Sequence, residues 1–261
     1  MEPLSPRQAQ ILTVARERGR VQVDSLSEAY EVSVQTIRKD LNELCDRKLL
    51  QRIHGGALYP SGASNYAYDS RMVLAEDEKR RIGVRTASLI PDNCAVILNI
   101  GTTTEQVAQA LRTHQGLMVV TNNLNVANLL RGAENIEVIV AGGIVRSTDG
   151  GIVGESAVEF IRQFRVDYAV IGASAIDPDG LILDYDYREV RVAQEIMRQA
   201  RQTILVADSM KFDRRAPVRI GHLSEIDVFV TDAPLPDSLA AICREHDVAV
   251  EICGAPDSVS D

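Results

Sequence analysis

The chain lacks any apolar run long enough to cross a membrane. Its longest, such as Val138–Ala141 and Ala169–Ala173, fall far short of the roughly 18 residues a spanning helix requires. It also lacks the apolar core of a signal peptide, since Pro3, Ser5, Arg7 and Gln8 stand where that core would be, so a cytoplasmic protein is expected. Cysteine is scarce. Cys45, Cys94, Cys243 and Cys253 form no CxxC pair and no zinc-site spacing, which fits small buried thiols in a reducing compartment. His54, His114, His222 and His246 are scattered without metal-ligand spacing. GxSxG, HExxH and dinucleotide fingerprints are missing too, so neither a metal nor a cofactor is expected.

What is present is ordinary for a folded protein: 261 residues, 45% apolar and 25% charged. Twenty-eight basic against 37 acidic residues, net −9, argue against nonspecific nucleic-acid binding by the whole chain. The distribution differs. Residues 1–58 carry nine Lys or Arg and eight Asp or Glu, leaving 19 against 29 for the remainder. Segment 33–54 alone holds Arg38, Lys39, Arg47, Lys48 and Arg52 against Asp40, Glu43 and Asp46. Such asymmetry is expected where a small module touches phosphates and a larger one does not.

The first 58 residues read as three helices and a strand pair. A first helix opens near Pro6, turns Ile11, Leu12 and Ala15 inward, and stops at Gly19. Val21–Val23 reads as a strand fragment. Ser25-Leu26-Ser27-Glu28 fits a capping box, with Leu26, Ala29 and Tyr30 as the buried stripe of the second helix. Ser33 caps a third helix whose Val34, Ile37, Leu41 and Leu44 recur at helical spacing. Gln35, Thr36, Arg38, Lys39 and Asn42 then lie on its other face. Leu50–His54 reads as a strand and Gly55-Gly56 as a turn. This is the pattern of a winged helix-turn-helix, its helical pair at about 20–39 and its basic wing holding Arg52 and His54.

Residues 59–75 show no sustained period and read as a linker, docked through Tyr66 and Tyr68. From Glu76 onward, helical patterns alternate with short apolar strands near 94–100, 117–121, 136–141, 167–173, 203–207, 227–231 and 248–252. Helices are expected near 76–90, 104–114, 122–131, 153–164, 187–200 and 235–245. The fold class is therefore α/β: a mostly parallel sheet covered on both faces over 76–253, with a frayed tail at 254–261.

Two places can carry chemistry. On the third helix, Gln35 and Asn42 suit adenine, Arg38 and Lys39 suit guanine, and Ser33 and Thr36 suit phosphate oxygens. A plain solvated helix face would look alike on periodicity alone. The second place is the row of strand ends. Gly101-Thr102-Thr103-Thr104 closes a strand and opens a helix, which serves either as a simple cap or as a phosphate cradle, though not as a Walker loop. Thr121-Asn122-Asn123, Gly142-Gly143 with Arg146, Gly172–Asp177 and Asp208–Lys211 close the next strands. Ligands bind at such carboxyl ends in open sheets, so a small anionic, hydroxylated ligand is expected. Asp177, Asp184, Asp186, Glu189 and Lys211 would form an acid/base set for a sugar phosphate, or simply hydrogen-bond its hydroxyls.

Ser33-Val-Gln-Thr-Ile-Arg-Lys-Asp-Leu41 followed by Arg52-Ile-His-Gly-Gly56 resembles the DeoR family of bacterial transcriptional regulators. IGTTTEQVA, VTNNLNVAN, AGGIVRSTDGGIVGE, FRVDYAVIGASAID and ADSMKF resemble its sensor domain, which is similar to ribose-phosphate isomerase. Within the family, TNNLNVAN, RSTDGGIVGE and DYDYREVR look like the members governing glycerol catabolism, and the resemblance runs from about residue 7 to 253. It implies a homo-oligomeric repressor, dimer or tetramer, bound to double-stranded operator DNA and released by glycerol 3-phosphate. It implies Gly101–Thr104 as phosphate loop, with Asn122, Asn123, Gly142, Gly143, Arg146, Asp177, Asp184, Glu189 and Lys211 around the pocket. Lys39 departs from the second Arg of many members; without the guanidinium fork, a phosphate contact is expected there. Two rival readings remain: a regulator of another sugar phosphate, and a sugar-phosphate isomerase with a DNA-binding appendage.

Overall fold

The computed structural model describes residues 4–18, 20–47, 49–53, 55–59, 68–212 and 214–254, and packing divides the chain into two units, Met1–Leu74 and Ala75–Asp261. In the first unit, α1 (Pro6–Arg18) buries Ile11, Leu12 and Ala15. Gly19, His54, Tyr66 and nearly all of the expected tail lie outside the described residues. β1 (Arg20–Gln22) runs straight into α2 (Val23–Ala29), which a short turn joins to α3 (Val34–Asp46). β2 (Gln51–Ile53) and β3 (Gly56–Leu58) form the wing hairpin, and the three strands make an antiparallel sheet ordered β1-β3-β2.

The expected capping box is not formed. α2 begins at Val23, two residues before Ser25, and its N-cap Gln22 makes no side-chain cap. The strand pairing decides this entry: Gln22 sits opposite Gly56, and Val23 N donates to Gly55 O at 2.9 Å. Ser27 Oγ instead donates to Val32 O at 2.6 Å, bracing the turn before α3. Val23 and Leu26 are the buried residues of α2, whereas Ala29 is exposed and Tyr30 half-buried. In α3 the expected stripe is present: Ile37, Leu41 and Leu44 are fully buried, each worth roughly 1.5–3 kcal/mol, while Val34 is half-buried. Within 59–75, α4 (Tyr68–Val73) is helical.

The second unit opens with α5 (Glu76–Ser88), then alternates β4 (Ala95–Leu98), α6 (Thr102–Leu111), β5 (Leu117–Thr121), α7 (Leu124–Leu130) and β6 (Ile136–Val140). A hairpin of β7 (Ile144–Val145) and β8 (Ile152–Val153) leads into α8 (Glu155–Ile161) and β9 (Val166–Gly172). β10 (Ala175–Ile176), β11 (Leu181–Asp184), α9 (Tyr187–Gln199), β12 (Ala200–Val206), β13 (Val218–His222), β14 (Val228–Thr231), α10 (Asp237–Glu245) and β15 (Ala249–Ile252) complete it. Seven strands form the expected sheet, all parallel, in the order β15-β14-β12-β9-β4-β5-β6. Alternating side chains feed two cores. Ile97, Val120 and Ile171 face α8, α9 and α10, while Leu98, Val119 and Val170 face α5, α6 and α7. The β7–β8 hairpin and the antiparallel sheet β10-β11-β13 are additions with no counterpart in the expected strands. Both sit at the carboxyl ends of the parallel strands.

Candidate functional site

In the first unit, Ser33 Oγ accepts from Thr36 N at 3.2 Å and lies 2.8 Å from Thr36 Oγ1, so α3 starts on a closed cap. Its two mid-helix acids are both engaged by side chains of α1. Asp40 is buried and pairs with Arg7 of α1, and Glu43 accepts from Gln8 Nε2. Lys39 Nζ lies 4.0 Å from Glu43. The side chains of Gln35, Arg38 and Asn42 are exposed and make no hydrogen bond or ion pair among the described residues; the same holds for the side chain of Arg52 on the wing. A helix with Asp40 neutralised inward by Arg7, Glu43 engaged by Gln8, and Gln35, Arg38 and Asn42 left open can meet phosphates and base edges.

In the second unit, Gly101 joins β4 to α6 at φ 149°, ψ 148°, a conformation open to glycine, and α6 has no side-chain cap. The first N–H groups of a helix lack intrahelical acceptors, so this end suits an anion. Thr102 and Thr103 are 6% exposed. Thr104 is fully buried, and its hydroxyl bonds to Asn99 O (2.8 Å) and Gly101 O (2.7 Å), bracing the loop. At the end of β5, Asn123 caps α7 through Asn125 N (2.8 Å) and donates to Glu105 Oε1 (3.1 Å). Asn122 Nδ2 donates to Ile152 O at 3.1 Å. Gly142 and Gly143 are exposed beyond β6, and a Cβ on Gly143 would meet Ile152 Cγ2 and Val153 O at 3.1 Å.

Arg146 ties the β7–β8 hairpin to the start of α9. It binds Asp149 through two bonds of 2.8 and 2.6 Å, Glu189 at 2.7 Å and Asp186 at 3.3 Å. Burial opposes its charge, yet Glu189 and Asp149 hold its pKa above the ordinary guanidinium value. Burial, then the charge of Asp184, pushes Glu189 up to about 8 against the pull of Arg146. Asp186 moves the other way, to about 2, chiefly through the side-chain hydrogen bond from Arg188.

The expected acid/base set is only partly assembled. Asp184 and Glu189 share this cluster, but Asp177 stands at the turn end of the β10–β11 hairpin, opposite Leu181. Asp184 lies at the other end, beside Ser174, so strand rise separates the two by about 10 Å. Lys211 is at the end of β12, 4.0 Å from buried Asp208. Asn99, Glu105, Asn125 and Asp149 carry no sequence signal of their own: Glu105 meets Asn123 and Asn125 only through the fold, and Asp149 gains its role from the Arg146 cluster. Among the described residues no group of three or more His, Cys, Asp or Glu is placed to hold a metal ion, and no helix is long and apolar enough to cross a membrane.

Two family models match the chain: the DeoR-like helix-turn-helix domain over residues 7–62 and the DeoR C terminal sensor domain over 74–233. A glycerol-3-phosphate regulon repressor of Escherichia coli (strain K12) is 44% identical over 243 residues, covering 93% of this chain and 96% of that protein. One from Haemophilus influenzae is 44% identical over 249 residues, covering 95% and 97%. The HTH-type transcriptional repressor CsqR of Escherichia coli (strain K12) is 39% identical, covering 95% and 94%. Among solved structures, a D-ribose-5-phosphate isomerase in complex with phospho-erythronic acid aligns over 52% of this chain and 54% of that chain, at 17% identity and a TM-score of 0.40. With both its helix-turn-helix and its sensor matched, and repressors this similar along nearly their whole length, the chain belongs to the DeoR family.

Proposed function

We propose that the chain is a DNA-binding transcriptional repressor of glycerol and glycerol-3-phosphate metabolism genes, released from operator DNA by glycerol 3-phosphate. Residues 1–58 grip DNA and residues 76–253 sense the effector, in the cytoplasm and without turnover. The observation that carries the reading is the outer face of α3, where the side chains of Gln35, Arg38 and Asn42 are exposed without partners among the described residues while Asp40 and Glu43 are engaged by α1. The named regulon of the 44%-identical relatives supports glycerol 3-phosphate as effector, and the uncapped α6 start supports a phosphate seat. One winged module buries roughly 600–1,000 Å² on DNA, too little for tight specific binding alone. Two modules held in one dimer or tetramer combine their binding through effective concentration.

A second reading, a sugar-phosphate isomerase, has one feature in its favour: Glu189, a buried carboxyl in the first turn of α9 beside Arg146 and Asp184, whose burial pushes its pKa up. Gel-shift titrations of the full chain on glycerol-gene promoters, with glycerol 3-phosphate, glycerol and other sugar phosphates, separate the readings. Release by glycerol 3-phosphate and not by glycerol is expected. Release by another phosphate alone would point to a different regulon, and turnover of a sugar phosphate would favour the isomerase.

A further inference from the structure

Asn99 and Asn122 follow directly on β4 and β5. Leu98 pairs with Thr121 across these strands, so the two asparagines lie side by side. Two residues before each, Ile97 and Val120 point into the core under α8 and α9. Side chains alternate along a strand, so both asparagines face that same side, towards the β7–β8 hairpin. The bond from Asn122 Nδ2 to Ile152 O fixes which way that amide points. Among the described residues it leaves Asn122 Oδ1 buried without a hydrogen-bond partner, and Asn99 Oδ1 is buried and unpartnered as well. The residues are 0% and 2% exposed.

Buried amide oxygens nearly always have partners, and leaving one unmade is costly. Two such oxygens, neighbours in register, repel a phosphate and accept hydroxyl hydrogens. The uncapped start of α6 at Gly101 lies two residues beyond Asn99, no more than roughly 7 Å along the chain. A short ligand with an anionic end and adjacent hydroxyls spans that distance.

We propose that Asn99 and Asn122 form a paired acceptor that reads the adjacent hydroxyls of a phosphorylated polyol whose phosphate sits at Gly101–Thr103. The inference rests on the effector reading of the same strand ends and adds Asn99 as a specificity-determining residue. Discrimination comes from the two amide oxygens, which stay unpaired when a ligand without hydroxyls binds.

Calorimetric titration of the full chain with glycerol 3-phosphate and with n-propyl phosphate, which keeps the phosphate and three carbons but lacks both hydroxyls, tests this. The wild type is expected to prefer glycerol 3-phosphate by at least about tenfold. Asn99→Ala is expected to lose most of that preference, through weaker glycerol 3-phosphate binding at unchanged n-propyl phosphate affinity. Unchanged affinity for n-propyl phosphate doubles as the check on folding; should the alanine variant unfold, Asn99→Ser serves in its place. Equal binding of both ligands by the wild type, or a preference that survives in the variant, overturns the paired acceptor while leaving the phosphate seat standing. Equal weakening of both ligands in a folded variant overturns it too. If the wild type binds neither ligand, the effector reading itself falls and the inference with it.

Discussion

The two units treat arginine in opposite ways. On α3, Arg38 is exposed with no ion pair among the described residues, and the nearby acids are bound to α1 side chains. At the sensor's strand ends, Arg146 is three-quarters or more buried and held by Asp149, Asp186 and Glu189. An open guanidinium keeps its charge available to an incoming phosphate. A buried, paired one gains little from a new partner unless the old ones let go, so it serves first to hold backbone elements together. On the proposed function, the same residue type therefore marks a grip in one unit and a tie in the other.

Breaking the tie should cost most. Arg146→Ala leaves buried Asp149 without its cation, takes from Glu189 its partner and leaves Asp186 to Arg188 alone, and a loss of about 3 kcal/mol is expected in the urea unfolding of the sensor. A loss below about 1 kcal/mol would mean the cluster does not hold the hairpin to α9.

The pH dependence follows from the same cluster. Glu189 titrates near 8 when folded against an ordinary 4.5, so between those values the folded state binds more protons than the unfolded one. Its contribution therefore falls as pH rises from about 5 to 8. Asp186, depressed to about 2, acts oppositely, and its contribution is lost only as pH falls below about 4 towards 2. Melting temperatures of Glu189→Gln should decline less than wild type between pH 5 and 8. Parallel profiles would remove Glu189 from this role.

On the grip, Arg38→Ala should cost roughly 1–3 kcal/mol of operator binding and relax one base preference. Arg52→Ala should weaken all sequences alike and reduce the salt slope by about one. Titrations against operator and scrambled DNA distinguish them, and equal weakening on both DNAs by Arg38→Ala would make it a phosphate contact. The smallest effect is expected at the cap. Ser33→Ala removes the acceptor for Thr36 N and should cost about 1 kcal/mol of first-unit stability by thermal unfolding.

Much of this was legible in sequence because it is local. The parallel strands are built on short apolar runs, such as Ala95–Leu98 and Ala169–Ile171, and the buried stripe of α3 is a helical period. Where long-range pairing decides, local patterns misled: Ser25–Glu28 looks like a capping box, yet β1 pairing with β3 starts α2 at Val23. The two-residue strands Ile144–Val145 and Ile152–Val153 carry no period of their own. Asp177 and Asp184 look equivalent as acids near one strand end, but the β10–β11 hairpin places them at opposite ends. Asn99 is one polar residue in an apolar run, and only its register with Asn122 gives it meaning.

Calorimetry tests the proposed coupling of grip and sensor most directly. Glycerol 3-phosphate is titrated into the free full chain and into the chain saturated with operator, beside operator titrations with and without glycerol 3-phosphate. Linkage requires the two ligands to weaken each other by one common factor, typically 5–150-fold. Weaker effector binding on the operator complex, by the factor measured for the operator, is the expected result. Effector affinity indifferent to operator would contradict ligand-released repression.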